Sequence, residues 1–191
     1  MKFEINKKVF DQFPELESDR LKYRQITFRD SETLFELRKN KEVMRFMDTE
    51  AMKSITESEK LIKSIGESYW MNTGISWGII EKSINAFIGY FGFWRIDPKH
   101  CIVEIGYLLH PDYWSKGYMK ETAAKLIEFG FRELHLHSLE ANVNPENLPS
   151  MKLLEKIGFR KEAYFRENFL FQNEFKDSVI YSVLESDFIK G

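Results

Sequence analysis

The sequence is poor in cysteine and has no long apolar run. Cys101 is the only cysteine among 191 residues, so no disulfide can form within the chain, which is compatible with a reducing cytoplasm. The first residues lack the apolar segment of a signal peptide. No apolar run approaches the roughly 18 residues that a membrane-spanning helix needs. We therefore predict a cytoplasmic protein that does not cross a membrane.

An excess of positive charge is also missing. The 28 Lys and Arg residues face 30 Asp and Glu residues, for a formal net charge of −2. Nothing in this balance indicates a partner that is a nucleic acid or a membrane surface. His135 and His137 have no metal-ligating neighbours in the sequence, so we predict no metal site. What the chain does have is 15% aromatic residues, which indicates a globular domain with a large aromatic core.

The order of the predicted elements indicates one α/β domain. Residues 1–19 are polar and are predicted as an N-terminal arm, and residues 20–191 as a single domain. We predict strands at 21–27, 75–81, 86–96, 101–109, 138–143, 159–171 and 177–184, and helices at 30–39, 56–69, 116–134 and 147–159. Thr56 and Glu59 have the spacing of a capping box for the second helix. The expected architecture is a mixed, mostly antiparallel sheet of about seven strands flanked by about four helices.

The stretch WSKGYM, residues 114–119, joins a predicted strand to a predicted helix. The first turn of a helix leaves amides without intrahelical partners, and the helix dipole favours an anion there. Gly117 permits close approach of a ligand or an unusual backbone angle, and Lys116 adds positive charge. These residues alone leave two interpretations open. The turn binds an anion, or Gly117 only eases the turn.

Two motifs together resemble the GNAT superfamily of acyl-CoA N-acyltransferases. They are EIGYLLHPDYWSKGYMKETAAKLIEFGF at 104–131 and NPENLPSMKLLEKIGF at 144–159. The chain is most similar to the RimJ/RimL branch, the ribosomal-protein-alanine type, which acetylates protein N-termini in bacteria. PELESDRLKYRQIT near the front and DSVIYSVLESDF near the end resemble the same branch. The resemblance therefore spans about residues 16–188.

The resemblance implies acetyl-CoA as co-substrate, bound where two parallel strands splay apart. The cofactor pyrophosphate would lie on the amides of the WSKGYM turn, and the strand before it would offer backbone groups to the pantetheine arm. Asn147 would hydrogen-bond the pantetheine arm, and Ser150 would lie near the sulfur. The cofactor-binding residues implied in this way are Tyr107, Leu108, Leu109, Ser115, Lys116, Gly117, Tyr118, Met119, Lys120, Asn147 and Ser150.

Several positions depart from the family pattern. Trp114, Ser115 and Met119 replace residues that are usual in the turn, and Met119 is large enough to crowd the phosphates. Some relatives carry a catalytic Glu in the strand before the second motif, where this chain has Asn142. In some relatives, a Tyr seven residues after the Asn of that motif acts as the general acid, and this chain has Leu154 there. Neither of those catalytic roles transfers to this sequence.

Direct attack of an amine on a thioester sets three chemical tasks. The amine must lose a proton, the oxyanion needs a hydrogen-bond donor, and the departing thiolate needs an acid. A strand amide near Leu109 is predicted as the donor, and the resemblance implies Ser150 as the acid. Glu104 is our candidate base because its strand should line the acceptor side. The alternatives are a salt-bridged or solvated Glu104 and an ordered water chain.

The nature of the acceptor follows from basicity. An α-amine with a pKa of about 8 is on the order of 10% neutral at pH 7, whereas a lysine with a pKa of about 10.4 is below ~0.1% neutral. Without a strong base in the matched positions, the sequence favours an N-terminal α-amine or an amino sugar.

The sequence also allows other interpretations. An acidic acceptor pocket would favour a polyamine or an aminoglycoside, and an open groove a peptide end. A non-catalytic acyl-CoA-binding module remains open, as do a monomer and a homodimer. A dinucleotide-binding domain is disfavoured because WSKGYM lacks the three-glycine fingerprint and no parallel βαβ series follows.

Overall fold

A computed structural model of the chain describes residues 4–188. Its centre is an eight-stranded sheet in the order β1-β2-β3-β4-β5-β6-β8-β7. The strands are β1 (Leu16–Glu17), β2 (Leu21–Gln25), β3 (Ile75–Glu81), β4 (Ala86–Asp97), β5 (Ile102–Leu109), β6 (Ser138–Val143), β7 (Arg160–Phe171) and β8 (Glu174–Leu184). Every neighbouring pair is antiparallel except β5 and β6, which are parallel. The predicted mixed, mostly antiparallel sheet is confirmed.

Helices cover both faces of this sheet. They are α1 (Ser31–Lys39), α2 (Lys41–Met44), α3 (Ile55–Trp70), α4 (Tyr118–Arg132), α5 (Leu148–Lys156) and α6 (Glu185–Phe188). The four longer helices correspond to the four predicted ones. Strand β1 and the helices α2 and α6 were not predicted, because two to four residues are too few to show a periodic pattern.

The sheet separates two apolar clusters. The first contains Trp77 and Phe91 together with the inner faces of α4 and α5. The second contains Tyr90 and Leu108 together with the inner faces of α1, α2 and most of α3. From Tyr90 to Trp94 the side chains of β4 alternate between the clusters, because successive side chains of a strand point to opposite faces. A ligand that passes through the sheet would therefore connect two different environments.

The described part of the predicted arm lies against the first cluster. Ile5 and Phe10 are buried in it. Asn6 N donates to Leu134 O at 3.1 Å, and Trp77 Nε1 donates to Pro14 O at 2.7 Å. These contacts hold the chain before β1 along the edge of the main core.

The predicted capping box of the second helix is wrong. The helix begins before Thr56, with Ser54 in the N-cap position, and neither Thr56 nor Glu59 caps it. Glu57 instead accepts a hydrogen bond from Lys53 N at 3.0 Å. The Ser-x-x-Glu spacing at this helix start is therefore that of Ser54 and Glu57, two residues before the predicted pair Thr56 and Glu59.

The two histidines lie in the connection before β6, where His135 has a φ of 59°. Within residues 4–188, no group of three or more His, Cys, Asp and Glu residues is arranged to hold a metal ion. No helix in this part of the chain is long and apolar enough to cross a bilayer.

Candidate active site

The two parallel strands separate partway along their length. β5 and β6 pair at Ile102–Ser138, Val103–Leu139 and Glu104–Glu140, and pairing stops there. Both strands continue beyond that point, β5 by five residues and β6 by three. Adjacent strands normally satisfy each other's N–H and C=O groups, so the separated portions leave those groups open to a ligand. The splayed pair implied by the resemblance is confirmed.

The register decides which groups of β5 face this opening. His110 N donates to Ile88 O at 2.7 Å, which makes Leu109, one residue earlier, a position that does not hydrogen-bond to β4. The main-chain groups of Leu109 and Tyr107 therefore point into the opening. Those of Leu108 point to β4, and its side chain is buried in the second cluster.

The WSKGYM turn presents free amides at the end of β5. Ser115 has a φ of 58° and Gly117 a φ of 80°, and α4 begins at the next residue. The turn thus has two left-handed residues, on either side of Lys116, in a conformation that favours glycine. The amides of residues 115–120 donate to no other residue of the described chain, as expected for the start of a helix. They form a nest of donors at the positive end of the α4 dipole.

Two departures from the family pattern have structural roles. The indole of Trp114 donates to Leu109 O at 2.7 Å and so ties the turn to the end of β5. Met119 is buried in the first cluster with an exposed fraction of 8%. Its side chain therefore packs into the core, and the predicted crowding of the phosphates by Met119 is wrong.

The turn is also held from outside by Glu121 of α4. Its carboxylate accepts hydrogen bonds from Ser18 Oγ at 2.7 Å, Arg20 N at 2.9 Å and Arg20 Nε at 2.7 Å. Arg20 Nη1 also donates to Lys116 O at 3.1 Å, and the guanidinium lies 4.0 Å from the ring centre of Tyr118. We call Ser18, Arg20 and Glu121 the turn clamp.

The charge state of Glu121 follows from these contacts. Burial acts to raise the pKa of Glu121, but the hydrogen bonds from the Arg20 amide, Ser18 and the Arg20 side chain outweigh it. The pKa is therefore held below its usual value, and the carboxylate is ionised at neutral pH.

The second motif brings Ser150 to the same opening. Asn147 caps α5 and accepts a hydrogen bond from Ser150 N at 3.2 Å. Ser150 Oγ lies 2.7 Å from the hydroxyl of Tyr107, whose ring stacks on Phe91 with centres 5.7 Å apart. Burial raises the pKa of Tyr107 to about 12, so this phenol stays protonated at neutral pH. The contact of the Tyr107 side chain with Ser150 was not predicted from the sequence.

One cavity connects both faces of the sheet at the splay. Its volume is about 640 Å³. Tyr107, Asn147 and Ser150 line its first-cluster side, and Trp94 and Glu104 line its second-cluster side. The cavity therefore runs from the neighbourhood of Ser150 to a separate acceptor side.

The acceptor side contains two carboxylates and an indole. Glu104 is ion-paired with Arg95 at 2.9 Å. Asp48 also lines the cavity, and it has no hydrogen bond or ion pair to any residue in the described range. Desolvation, followed by the charge of Glu104, raises the pKa of Asp48. The Trp94 ring lies across Gly106, where a Cβ atom would come within 2.4 Å of its Nε1.

Sequence reasoning missed Asp48. It lies in the connection between α2 and α3, outside every motif and periodic segment. Only the packing of that connection over β5 brings Asp48 near Glu104, so no local signal could have found it.

Comparison with known proteins finds a matching family model and several similar proteins. A family model described as an acetyltransferase (GNAT) domain matches residues 20–160. YoaA of Bacillus subtilis (strain 168), named an uncharacterized N-acetyltransferase, is 37% identical over 174 residues, covering 91% of this chain and 98% of YoaA. The ribosomal protein uS5-alanine N-acetyltransferase of Escherichia coli (strain K12) is 31% identical over 128 residues, covering 66% of each chain.

Solved structures share the fold. The crystal structure of a GNAT-family acetyltransferase from Bacillus anthracis has a TM-score of 0.81 at 29% identity, covering 91% of this chain and 99% of that one. A spermidine N-acetyltransferase from Vibrio cholerae, crystallised with CoA and spermine, has a TM-score of 0.79 at 22% identity, covering 90% and 99%. The second likeness concerns the fold alone.

Proposed function

Because this chain belongs to the GNAT acetyltransferase family, whose members use acetyl-CoA, we propose that it acetylates the N-terminal α-amine of a protein or peptide, as the RimJ/RimL branch does. The observation that carries the proposal is the single cavity that joins Ser150, beside the splayed strands, to an acceptor side with free carboxylate oxygen atoms. A cytoplasmic location stays a prediction from the sequence.

The residues present fit acetyl-CoA. The free amides of residues 115–120 match the anionic pyrophosphate, and the open main-chain groups of Tyr107 match the amides of a pantetheine arm. We assign Asn147 and Ser150 to the far end of that arm. Leu108 would contribute through its position in the strand, since its main-chain groups bond β4. When bound, acetyl-CoA supplies the acetyl thioester that the amine attacks.

Two groups of the chain serve the reacting carbonyl and sulfur. The Leu109 amide, which faces the opening, donates a hydrogen bond to the oxygen as its negative charge develops. The Ser150 hydroxyl gives its proton to the departing sulfur and recovers one from the Tyr107 hydroxyl or from water. Tyr107 suits this relay because it remains protonated at neutral pH.

The proton of the amine has two possible acceptors on the acceptor side. Glu104, predicted as the base, is ion-paired with Arg95 at 2.9 Å, so one of its carboxylate oxygens is already engaged. Asp48 has no such partner, and its raised pKa makes it the better base. We therefore propose that Asp48 accepts the proton. Desolvation, and after it the negative charge of Glu104, raises the pKa of Asp48.

The charges of the cavity favour an α-amine over a polyamine. Asp48 and Glu104 are balanced by Arg38 and Arg95, which line the same cavity. A polyamine carries only positive charge and would meet the guanidinium groups of Arg38 and Arg95, whereas a peptide end offers one amine beside neutral carbonyl groups. The similarity to the uS5-alanine enzyme supports the same choice.

Calorimetric titration with acetyl-CoA tests the cofactor site. We expect micromolar binding that Gly117→Trp abolishes. The matched control is Gly158→Trp, because Gly158 has a φ of 95° and open space around it, so the backbone strain is similar and the turn is untouched. Unchanged binding by Gly117→Trp would place the cofactor elsewhere.

Acetyl transfer to an amine panel tests the acceptor class. The panel contains peptides with a free N-terminus, the same peptides with a blocked N-terminus and a free lysine, spermidine, and glucosamine. We expect the free N-terminus to give the highest kcat/KM. Faster transfer to lysine or spermidine contradicts the proposal, and acetyl-CoA binding without any transfer indicates a non-catalytic binding module.

A further inference from the structure

A buried guanidinium without an ionic partner lies in the wall of the acceptor cavity. Arg38, in the last turn of α1, has an exposed fraction of 7%. It donates hydrogen bonds to the Tyr90 hydroxyl and to Thr49 Oγ1, the latter at 2.9 Å. Its Nε has no hydrogen-bond partner. Among residues 4–188, no carboxylate oxygen lies within 4.0 Å of its nitrogens.

This arrangement is unusual for a structural arginine. An arginine cannot lose its charge at physiological pH, and buried cations in proteins are as a rule paired with an anion. The two hydroxyl partners of Arg38 are neutral and give little compensation. A neutral side chain would fill the same space without burying a charge, so Arg38 is best explained by an anion that enters the cavity.

Neither the nearby carboxylates nor the cofactor phosphates supply this anion. Glu104 is already paired with Arg95, and Asp48 makes no ion pair with Arg38. The phosphates of the cofactor would lie at the start of α4, which packs on the opposite face of the sheet. The acceptor is the remaining molecule that can bring a negative charge to Arg38.

We propose that the acceptor carries a carboxylate close to its reacting amine, and that Arg38 binds this carboxylate. The inference rests on the proposed function. The amine then lies beside Asp48 and the carboxylate beside Arg38, within one cavity of about 640 Å³. Two sources have this chemistry. They are an acidic side chain at the first or second residue of a peptide, and the α-carboxylate of a free amino acid.

Matched acceptors test the inference on the unmodified protein. The peptide arm compares Asp with Asn, and Glu with Gln, at the first and second positions. The amino-acid arm compares alanine with alaninol, a neutral analogue that lacks the carboxylate and whose amine has similar basicity. We expect kcat/KM to be about tenfold or more higher for the carboxylate member, as charge-assisted hydrogen bonds to arginine imply. The arm that shows the preference identifies the source.

Substitution of Arg38 tests the residue. Arg38→Met should bring the ratio of carboxylate to amide acceptor close to one, mainly through a higher KM for the carboxylate acceptor, while Arg38→Lys should retain part of it. Arg95→Met is the control for a nearby cation and should keep the preference. Thermal melting of each variant reports whether it is folded.

The outcomes separate this inference from the proposed function. Equal rates on both members of each pair, or a preference for the amide, overturn the inference even if no variant folds. A preference that persists in a folded Arg38→Met also overturns it, and shows that Arg38 only ties Tyr90 to Thr49. No transfer to any amine overturns the proposed function as well.

Discussion

Replacing Glu121 by glutamine should loosen the turn clamp without changing its shape. Glutamine keeps the size of the side chain but removes the charge that two bonds from Arg20 and one from Ser18 use. The side chain of Arg20 is 42% exposed, so solvent screening limits the ion pair itself to about 0.5 kcal/mol. Weakening the bonds from the Ser18 hydroxyl and the Arg20 amide adds about 0.5 to 1 kcal/mol each. We expect the free energy of unfolding to fall by about 2 kcal/mol.

Urea unfolding and thermal melting measure this loss. For a chain of this size, about 2 kcal/mol corresponds to a decrease in Tm of about 4 to 8 °C. The control is Glu128→Gln on the same helix. Glu128 makes surface ion pairs with Lys125 and Arg132, and its loss should change the free energy of unfolding by less than about 0.5 kcal/mol.

The pH dependence of the stability difference is an independent test of the same reasoning. The folded pKa of Glu121 is lowered, so its stabilisation is complete above the unfolded pKa of about 4.3. It is lost as the pH falls through the folded pKa. The stability difference between the unmodified protein and Glu121→Gln should therefore be largest at neutral pH and shrink below about pH 4.

Binding of acetyl-CoA should weaken as well. The clamp also holds Lys116 O through Arg20, so its loss leaves the amides of the turn to be ordered by the ligand. We expect the Kd to rise about fivefold, equivalent to ~1 kcal/mol of ordering. Equal stability of the Glu121 and Glu128 variants, or a difference that does not shrink between pH 7 and about pH 3, would refute the reasoning.

Two further substitutions test the residues at the opening between β5 and β6. Ser150→Ala should lower kcat about 100-fold with little change in the KM for acetyl-CoA, because it removes the proposed acid, and Tyr107→Phe should have a smaller effect. An unchanged kcat in Ser150→Ala excludes that role. Gly89→Ala should lower the free energy of unfolding by about 3 kcal/mol, because the new Cβ would lie 2.2 Å from Leu108 O. Gly66→Ala, in α3 with open space around it, should instead add up to about 1 kcal/mol, and equal effects in urea unfolding contradict this account.

The order of the long elements could be predicted because each has a local cause. The helix α4 shows a 3.6-residue apolar repeat, and Asn147 followed by proline and Ser150 marks the start of α5. Gly117 marks a left-handed turn that few other residues adopt. The same locality explains the errors, since the capping box at Thr56 was judged without knowing where the helix begins.

By itself, the sequence determined the type and order of the long strands and helices and the position of the turn before α4, because these depend on neighbours within a few residues. Only the tertiary structure decided which groups meet. It set the register that turns Leu109 toward the opening, placed Ser150 against Tyr107, and brought Asp48 and Arg38 to one cavity. Such contacts join residues that are tens of positions apart, and they arise from the packing of α1–α3 and α5 on opposite faces of the sheet. No periodic pattern along the chain carries that information.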